Sequence, residues 1–428
     1  MTLIVKNGRV ICPAQQLDTI ADVLIADGKI GAIGQNLTAS GAEVFDATGC
    51  VVAPGFYDIH VHLREPGFED SETIESGASC ALVGGFTTVC CMPNTKPVND
   101  SAEVTRYIIE QAKRVTPVHV HPIGAISVGS AGEELAAIAA MVQAGAVAIS
   151  DDGRPVMNSQ LMRDAMELAR QLDVPVIDHC EDLNLTAAAT LHEGGTSLKL
   201  GLKGMPSAAE DIMVARDLIL AELTGARYHV AHISTRYAIA MVEHAKALGL
   251  PVTCEITPHH FTLSDEDLLT RDGNYKMKPP LRGCCDIDAA FDGIVSGVVD
   301  SIATDHAPHA PGLKAQAFER CPFGILGLET AIPLTLERLV HPGKITLSHM
   351  VSLFTTGAER TMRLGRGRLT PGLPGDLTIF DLHRPWTYQL SKSPSKSRNS
   401  PFDGRAFKGG PVATVIAGRI AWRVDQRG

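Results

Sequence analysis

The sequence predicts an α/β protein: a (β/α)8 TIM-type barrel with a small β-sandwich domain contributed by both chain ends. Two observations carry this reading. The middle of the chain alternates short apolar strands with helical stretches, as repeated βα units do, and both ends hold short β-rich pieces without a helical period. The length agrees, since the chain has 428 residues and a barrel alone takes about 250. The expected divisions are 1–53 for one part of the sandwich, 54–367 for the barrel and 368–428 for the other part. Two separate caps would satisfy the same terminal pattern.

At the N-terminal end, Leu3-Ile4-Val5, Ala21-Asp22-Val23-Leu24-Ile25, Lys29-Ile30-Gly31-Ala32-Ile33 and Glu43-Val44-Phe45-Asp46 read as strands punctuated by Gly and Asn turns. The apolar run Val51-Val52-Ala53 leads into Tyr57-Asp58-Ile59-His60-Val61-His62, and Pro66-Gly67 then stops regular structure. Further barrel strands are expected at 85–90, 118–123, 146–150, 174–179, 227–232, 252–256 and 299–305, which makes eight. Helical stretches stand out at 133–144 and 208–223. Leu377-Thr378-Ile379-Phe380-Asp381 and Val412-Ala413-Thr414-Val415-Ile416 return to β character.

Bulk properties narrow the function. A formal charge of −10 and the absence of a long basic run argue against nucleic acid as a partner. No apolar run approaches the ~18 residues that span a bilayer, and the first residues lack the layout of a signal peptide. Ten cysteines occur without a C-x-x-C, and two of the pairs are adjacent in sequence, Cys90-Cys91 and Cys284-Cys285. Adjacent cysteines are poorly placed for ordinary bridges, so reduced thiols and a cytoplasmic location are expected.

The chemistry is concentrated where strands end. His60 and His62 sit at i and i+2, so on a strand they face the same way. Alone, such a pair is more often part of a core. Here the fourth, fifth, sixth and eighth strands stop at Asp151-Asp152-Gly153, His179-Cys180-Glu181, His232-Ile233-Ser234 and Asp305-His306-Ala307-Pro308-His309. Four histidines and at least two carboxylates thus converge on one rim. That exceeds what a single zinc ion needs and points to two metals sharing a bridging carboxylate. Other histidines are set aside for core or scaffold roles: His119 and His121 lie on a strand that His119 opens, His229 opens another, and His259-His260 follows Pro258 in a loop. Gly365-Arg366-Gly367 reads as a turn, and 391–400 reads as a solvated loop near the domain junction.

The motifs Asp58-Ile59-His60-Val61-His62-Leu63-Arg64-Glu65-Pro66-Gly67, Met92-Pro93-Asn94-Thr95, Ser150-Asp151-Asp152-Gly153 and Ala303-Thr304-Asp305-His306-Ala307-Pro308-His309 extend this pattern. With Pro322-Phe323-Gly324-Ile325 and Gly327-Leu328-Glu329-Thr330, they make the chain resemble the cyclic amidohydrolases, most closely their long-chain bacterial dihydroorotase family. The resemblance implies a joined β-sandwich and two divalent ions, zinc in the first instance. Their ligands would be His60, His62, Asp152, His179, His232 and Asp305. Asp152 would bridge, and Asp305 would also carry the proton. His62, Arg64, Asn94, Lys278, His309, Phe323 and Gly324 match substrate-binding positions. The implied reaction is reversible closure of N-carbamoyl-L-aspartate to L-dihydroorotate in pyrimidine synthesis. A homo-oligomer, in the form of a dimer, and an association with aspartate transcarbamoylase are implied as well.

Two departures stand out. Lys278 in Lys276-Met277-Lys278-Pro279-Pro280 replaces the asparagine usual in the family, and Ala310-Pro311-Gly312-Leu313-Lys314 lacks its usual acidic pair. One alternative is a hydantoinase- or allantoinase-like amidase. Those relatives bridge their metals with a carboxylated lysine, and no lysine occurs here between Lys113 and Lys199. The other alternative, a non-catalytic partner of aspartate transcarbamoylase, fits poorly with a complete ligand set.

Overall fold

The computed structural model describes residues 1–424. Both chain ends enter one sheet of eight strands. Its order is Arg419–Arg423, Ala406–Ile416, Leu377–Thr387, Cys50–Pro54, Thr2–Cys12, Leu17–Ala26 and Lys29–Gly34, with Glu43–Asp46 also paired to Thr2–Cys12. The two ends meet where Leu377–Thr387 runs antiparallel to Cys50–Pro54, from Leu377 opposite Pro54 to Asp381 opposite Cys50. The sheet bends where Thr2–Cys12 changes neighbour: residues 3–6 pair with Glu43–Asp46, and Arg9 and Val10 pair with Val51 and Val52. Gly8 lies at the register shift, and a Cβ there would stand 2.5 Å from Val52 Cγ2. Leu3, Val5, Val23, Ile25, Val52, Leu377, Ile379 and Val415 form the apolar cluster of this sheet. Each such buried side chain contributes about 1.5–3 kcal/mol.

The apolar lead Val51-Val52-Ala53 therefore belongs to the terminal sheet, and Gly55 separates it from the strand Phe56–Val61. That strand begins the parallel set. It pairs with Phe86–Cys91, which pairs with His119–Pro122. Val176–Asp178, Tyr228–Val230, Val252–Ile256 and Ser301–Ile302 form a second parallel run. Single rungs join the two runs, from Gly124 to Ile149 and from Ile149 to Val176, and another rung returns from His306 to Val61.

The expected fourth strand at 146–150 is thus reduced to the rungs at Ile149. It follows directly on the helix-ending Gly145, at φ 116°. At its other end, Asp151 turns aside to accept the backbone N–H groups of Ile126 and Ser127. The helix expected from 133 starts later, as Ile138–Ala144, because Glu134 and Leu135 pair with Val128 and Ser127 instead. Ala208–Thr224 forms as expected, with Ala209, Met213, Leu218 and Ala221 inward and Gly225 ending it at φ 68°.

The 391–400 segment is the clearest correction. It is not a solvated loop: Ser393, Ser395, Ser397 and Asn399 are buried, while Lys396 and Arg398 between them, and Lys392 before them, are exposed. Ser395 Oγ donates to Glu72, Ser397 Oγ to the Ser71 carbonyl, and Asn399 Nδ2 to the Ala307 carbonyl. Polar side chains satisfied in this way are buried at little cost. Among the described residues no helix is long and apolar enough to cross a membrane, and the ten cysteines are free.

Candidate metal centre

His60 lies in the strand Phe56–Val61 and His62 one residue beyond it, on the same side, with ring centroids 5.5 Å apart. Asp58, fully buried in that strand, accepts from the backbone N–H of His60 at 3.1 Å and of Thr304 at 3.2 Å. It thereby fixes the first strand end against the last, where Asp305 follows. Arg64, His232 and Asp305 hold φ of 64°, 31° and 46°. Left-handed backbone at residues other than glycine is strained, and such strain collects at functional sites.

Asp152 occupies the middle. Its Oδ1 lies 3.4 Å from His60 Nε2 and 3.7 Å from both His179 Nδ1 and His232 Nε2, while Oδ2 lies 3.6 Å from His62 Nε2. Asp305 Oδ1 lies 2.9 Å from His62 Nε2 and 3.6 Å from His60 Nε2. The ring nitrogens that point away from this cluster are held from behind. His60 Nδ1 meets Glu255 Oε1 at 2.7 Å, His62 Nδ1 meets Asn94 Oδ1 at 2.8 Å, and His179 Nε2 meets Glu181 Oε2 at 3.0 Å. Those oxygens only accept, so the outer nitrogens carry protons, and the inner ones would be free to give lone pairs to a bound cation.

Lone pairs aimed at one another in a buried site call for a cation. His60 Nε2 and Asp152 Oδ1 are buried without a hydrogen-bond partner. His179 Nδ1 and His232 Nε2 face each other at 2.8 Å. Burial opposes ionisation of Asp152, yet His60, His232 and His62 hold its carboxyl well below the usual range. Burial likewise opposes charging of His60, and Asp152 and Glu255 overcome it to hold His60 well above its usual value. Groups of these residues bring ligand atoms within 4.8 Å: His60, His62 and Asp305 in one, and His60, Asp152 and His232 in another. Imidazole nitrogens with carboxylate oxygens suit a divalent transition metal. The residues present fit a metal centre.

All of the expected site residues except His60 line one cavity of about 180 Å³; His60 lies beneath it. Arg64 Nε donates to the Pro308 carbonyl at 3.0 Å. Burial lowers its guanidinium to about 10, which leaves it charged near neutrality. His309 Nε2 donates to the Phe323 carbonyl at 2.6 Å. Gly324 has φ 140°, and a Cβ there would come within 2.9 Å of His309 Nε2. Asn94 is already engaged by His62 and also by Asp152, its Nδ2 lying 3.4 Å from Oδ2. Lys278 Nζ is paired with Glu181 Oε2 at 2.7 Å.

The histidines set aside stay outside these metal groups. His119 binds Asp376, His260 binds Thr257 and the Pro279 carbonyl, and His229 supports Glu255 from behind. Sequence reasoning missed the supporting carboxylates Asp58, Glu181 and Glu255. Glu255 had a legible signal, because a charge inside the apolar run Val252-Thr253-Cys254-Glu255-Ile256 must find a partner once buried.

A family model described as dihydro-orotase-like matches residues 49–238. A dihydroorotase of Solibacter usitatus is 63% identical over 422 residues, covering 99% of this chain and 98% of that protein. The chain belongs to the dihydroorotase family. The dihydroorotase of Pelobacter propionicus is 47% identical, covering 99% of this chain and 100% of that protein. Among solved structures, the L-hydantoinase (dihydropyrimidinase) of Arthrobacter aurescens matches with a TM-score of 0.88 at 26% identity, covering 98% of this chain and 95% of that one. As a dihydroorotase-family chain it is a metal-dependent cyclic amide hydrolase, and its architecture is that of the amidohydrolases.

Proposed function

We propose that the protein interconverts N-carbamoyl-L-aspartate and L-dihydroorotate plus water at a binuclear centre. The returning parallel strands are read as a closed (β/α)8 barrel over 54–367, with the joined ends, 1–53 and 368–428, as its β-sandwich. One observation carries the functional reading: the single carboxylate of Asp152 stands 3.4–3.7 Å from all four histidines. A bridging aspartate there takes the place of the lysine that a hydantoinase-like site requires.

Two divalent ions, zinc by donor set, held by His60, His62, His179, His232 and Asp305 with Asp152 between them, would polarise the ring carbonyl and acidify a shared water. The protein's residues do the rest. Arg64, on the cavity wall, offers a charged fork to the substrate carboxylate, and His309 lies beside it. Such orientation contributes several kcal/mol to lowering the barrier. Asp305 takes the proton of the attacking water and gives it to the ring nitrogen as the bond from that nitrogen to the carbonyl carbon breaks. In the synthetic direction Asp305 removes the ureido proton and returns it to the departing hydroxide.

Ring opening of L-dihydroorotate, followed by absorbance, tests the reading, with hydantoin, allantoin and dihydrouracil offered as competitors. Turnover of L-dihydroorotate alone is expected. Faster turnover of the uncharged rings would overturn it. Arg64→Met should raise KM for L-dihydroorotate at least tenfold, through loss of a charge-assisted pair of hydrogen bonds. The family relationship also supports a homodimer able to associate with aspartate transcarbamoylase. Sedimentation of the pure chain, alone and with that enzyme, tests both.

A further inference from the structure

The two sides of the centre are supported differently. On the His60 side, Glu255 faces imidazoles and no ammonium, with Oε1 at 2.7 Å from His60 Nδ1 and Oε2 lying 3.3 Å from His229 Nε2. On the His179 side, Glu181 Oε2 is shared between His179 Nε2 at 3.0 Å and the Lys278 ammonium at 2.7 Å, and Oε1 takes the Thr186 hydroxyl. Glu181 is 5% exposed, so water does little to weaken this pairing. A carboxylate behind a ligating histidine raises the basicity of the ligand, and a cation on that carboxylate draws the effect away.

We propose that Lys278 is a positioning residue that acts through Glu181 on His179 and makes the two metal positions unequal, the His179–His232 position being the weaker. The inference rests on the reading of the four histidines as metal ligands. Lys278 lines the cavity, yet in this arrangement its role is to set metal occupancy rather than to bind substrate.

The test is a Zn2+ titration of the metal-stripped full chain, by calorimetry and by competition with a chelating dye. The wild-type chain should take up Zn2+ in two steps of different affinity. In K278M the weaker step should tighten about 10-fold or more, because the unpaired Glu181 now favours the cation. If the wild-type chain takes up only one equivalent, K278M should gain the second. K278R should restore the wild-type isotherm. In an E181Q background, K278M should shift the weaker step less than threefold, as expected when both residues act along one path. E255Q should weaken the tighter step instead.

A weaker step that stays unchanged or loosens in K278M and also in K278Q would overturn the proposal. So would a large rise in KM with an unchanged isotherm. His179→Ala separates this from the underlying reading. If that variant keeps both steps, the ligand assignment itself falls; if it loses one while K278M and K278Q change nothing, only the role of Lys278 does.

Discussion

Asp305 and His309 share one cavity, and their bonding decides which of them handles the proton. His309 Nε2 donates to Phe323, while burial, with Arg64 and Lys314 nearby, pushes the imidazole down to about 3. Geometry decides between them: His309 is tied to the Phe323 carbonyl, whereas Asp305 stands among the clustered histidines. Burial alone would raise the Asp305 carboxyl, but the hydrogen bond from His62 and the nearby His60 and His232 hold it ionised, with an oxygen 2.9 Å from His62 Nε2. Asp305→Asn should lower turnover about 100-fold or more while keeping its metals; His309→Asn should raise KM more than it lowers kcat. Kinetics and metal content across pH decide between them. Near-normal turnover in Asp305→Asn, with the acidic limb of the profile lost in His309→Asn, would move the proton to His309. Asp152→Ala should lose at least one metal equivalent, since two cations would then face each other without an anion between them. Asp151, which anchors Ile126 and Ser127, is its folded control.

Between elements, the contact to test lies at the far end of the parallel strands from the metals. Asp376 Oδ2 receives His119 Nε2 at 3.0 Å and Arg366 Nη1 at 2.9 Å, while Oδ1 receives the Ala417 N–H at 2.9 Å. Burial opposes its charge, but these donors hold the carboxyl below its usual value. A depressed carboxyl stabilises the fold above its unfolded value of about 3.9, and that contribution is lost as pH falls through the folded value. Asp376→Asn should therefore cost about 1.5–3 kcal/mol at pH 7 and progressively less below pH ~4. Denaturant melts at both pH values check this; a gap that widens in acid would refute it. The strand 252–256 was legible because three of its five residues, Val252, Thr253 and Ile256, are β-branched, and the clustered histidines and carboxylates were legible because they fall at or near expected strand ends. The 391–400 segment was not. Its Ser and Lys residues all read as polar, and only the partners from distant elements, Glu72, Ser71 and Ala307, turn alternate positions inward. Asn399 also receives the His309 N–H through Oδ1 at 3.1 Å. Asn399→Ala should accordingly raise KM together with the loss of two braces, measurable by kinetics and thermal melting.

At the scale of the whole molecule, the cluster joins strand ends that are remote in sequence. His60 and Asp305 are 245 positions apart, yet His60 Nε2 and Asp305 Oδ1 lie 3.6 Å apart. His60 Nε2 and Asp152 Oδ1 are buried there without a hydrogen-bond partner, which a bound cation would supply. A cation that binds this arrangement and not the unfolded chain stabilises the fold by about 2.7 kcal/mol at a free concentration 100 times its dissociation constant. Stripping the metals should thus lower the melting temperature by several degrees, by about 2–4 °C per kcal/mol in the smaller chains for which that scale is known. Adding Zn2+ back should restore both stability and turnover. The bridge makes the sharper prediction. A lysine carbamate has to form from carbon dioxide, so a lysine-bridged centre refills only when bicarbonate is present. Asp152 needs no such reaction, and its carboxylate already lies among the four histidines. Reconstitution in degassed buffer should therefore match reconstitution with bicarbonate in rate, in metal content and in melting temperature. A requirement for bicarbonate in any of the three would remove Asp152 from the bridge.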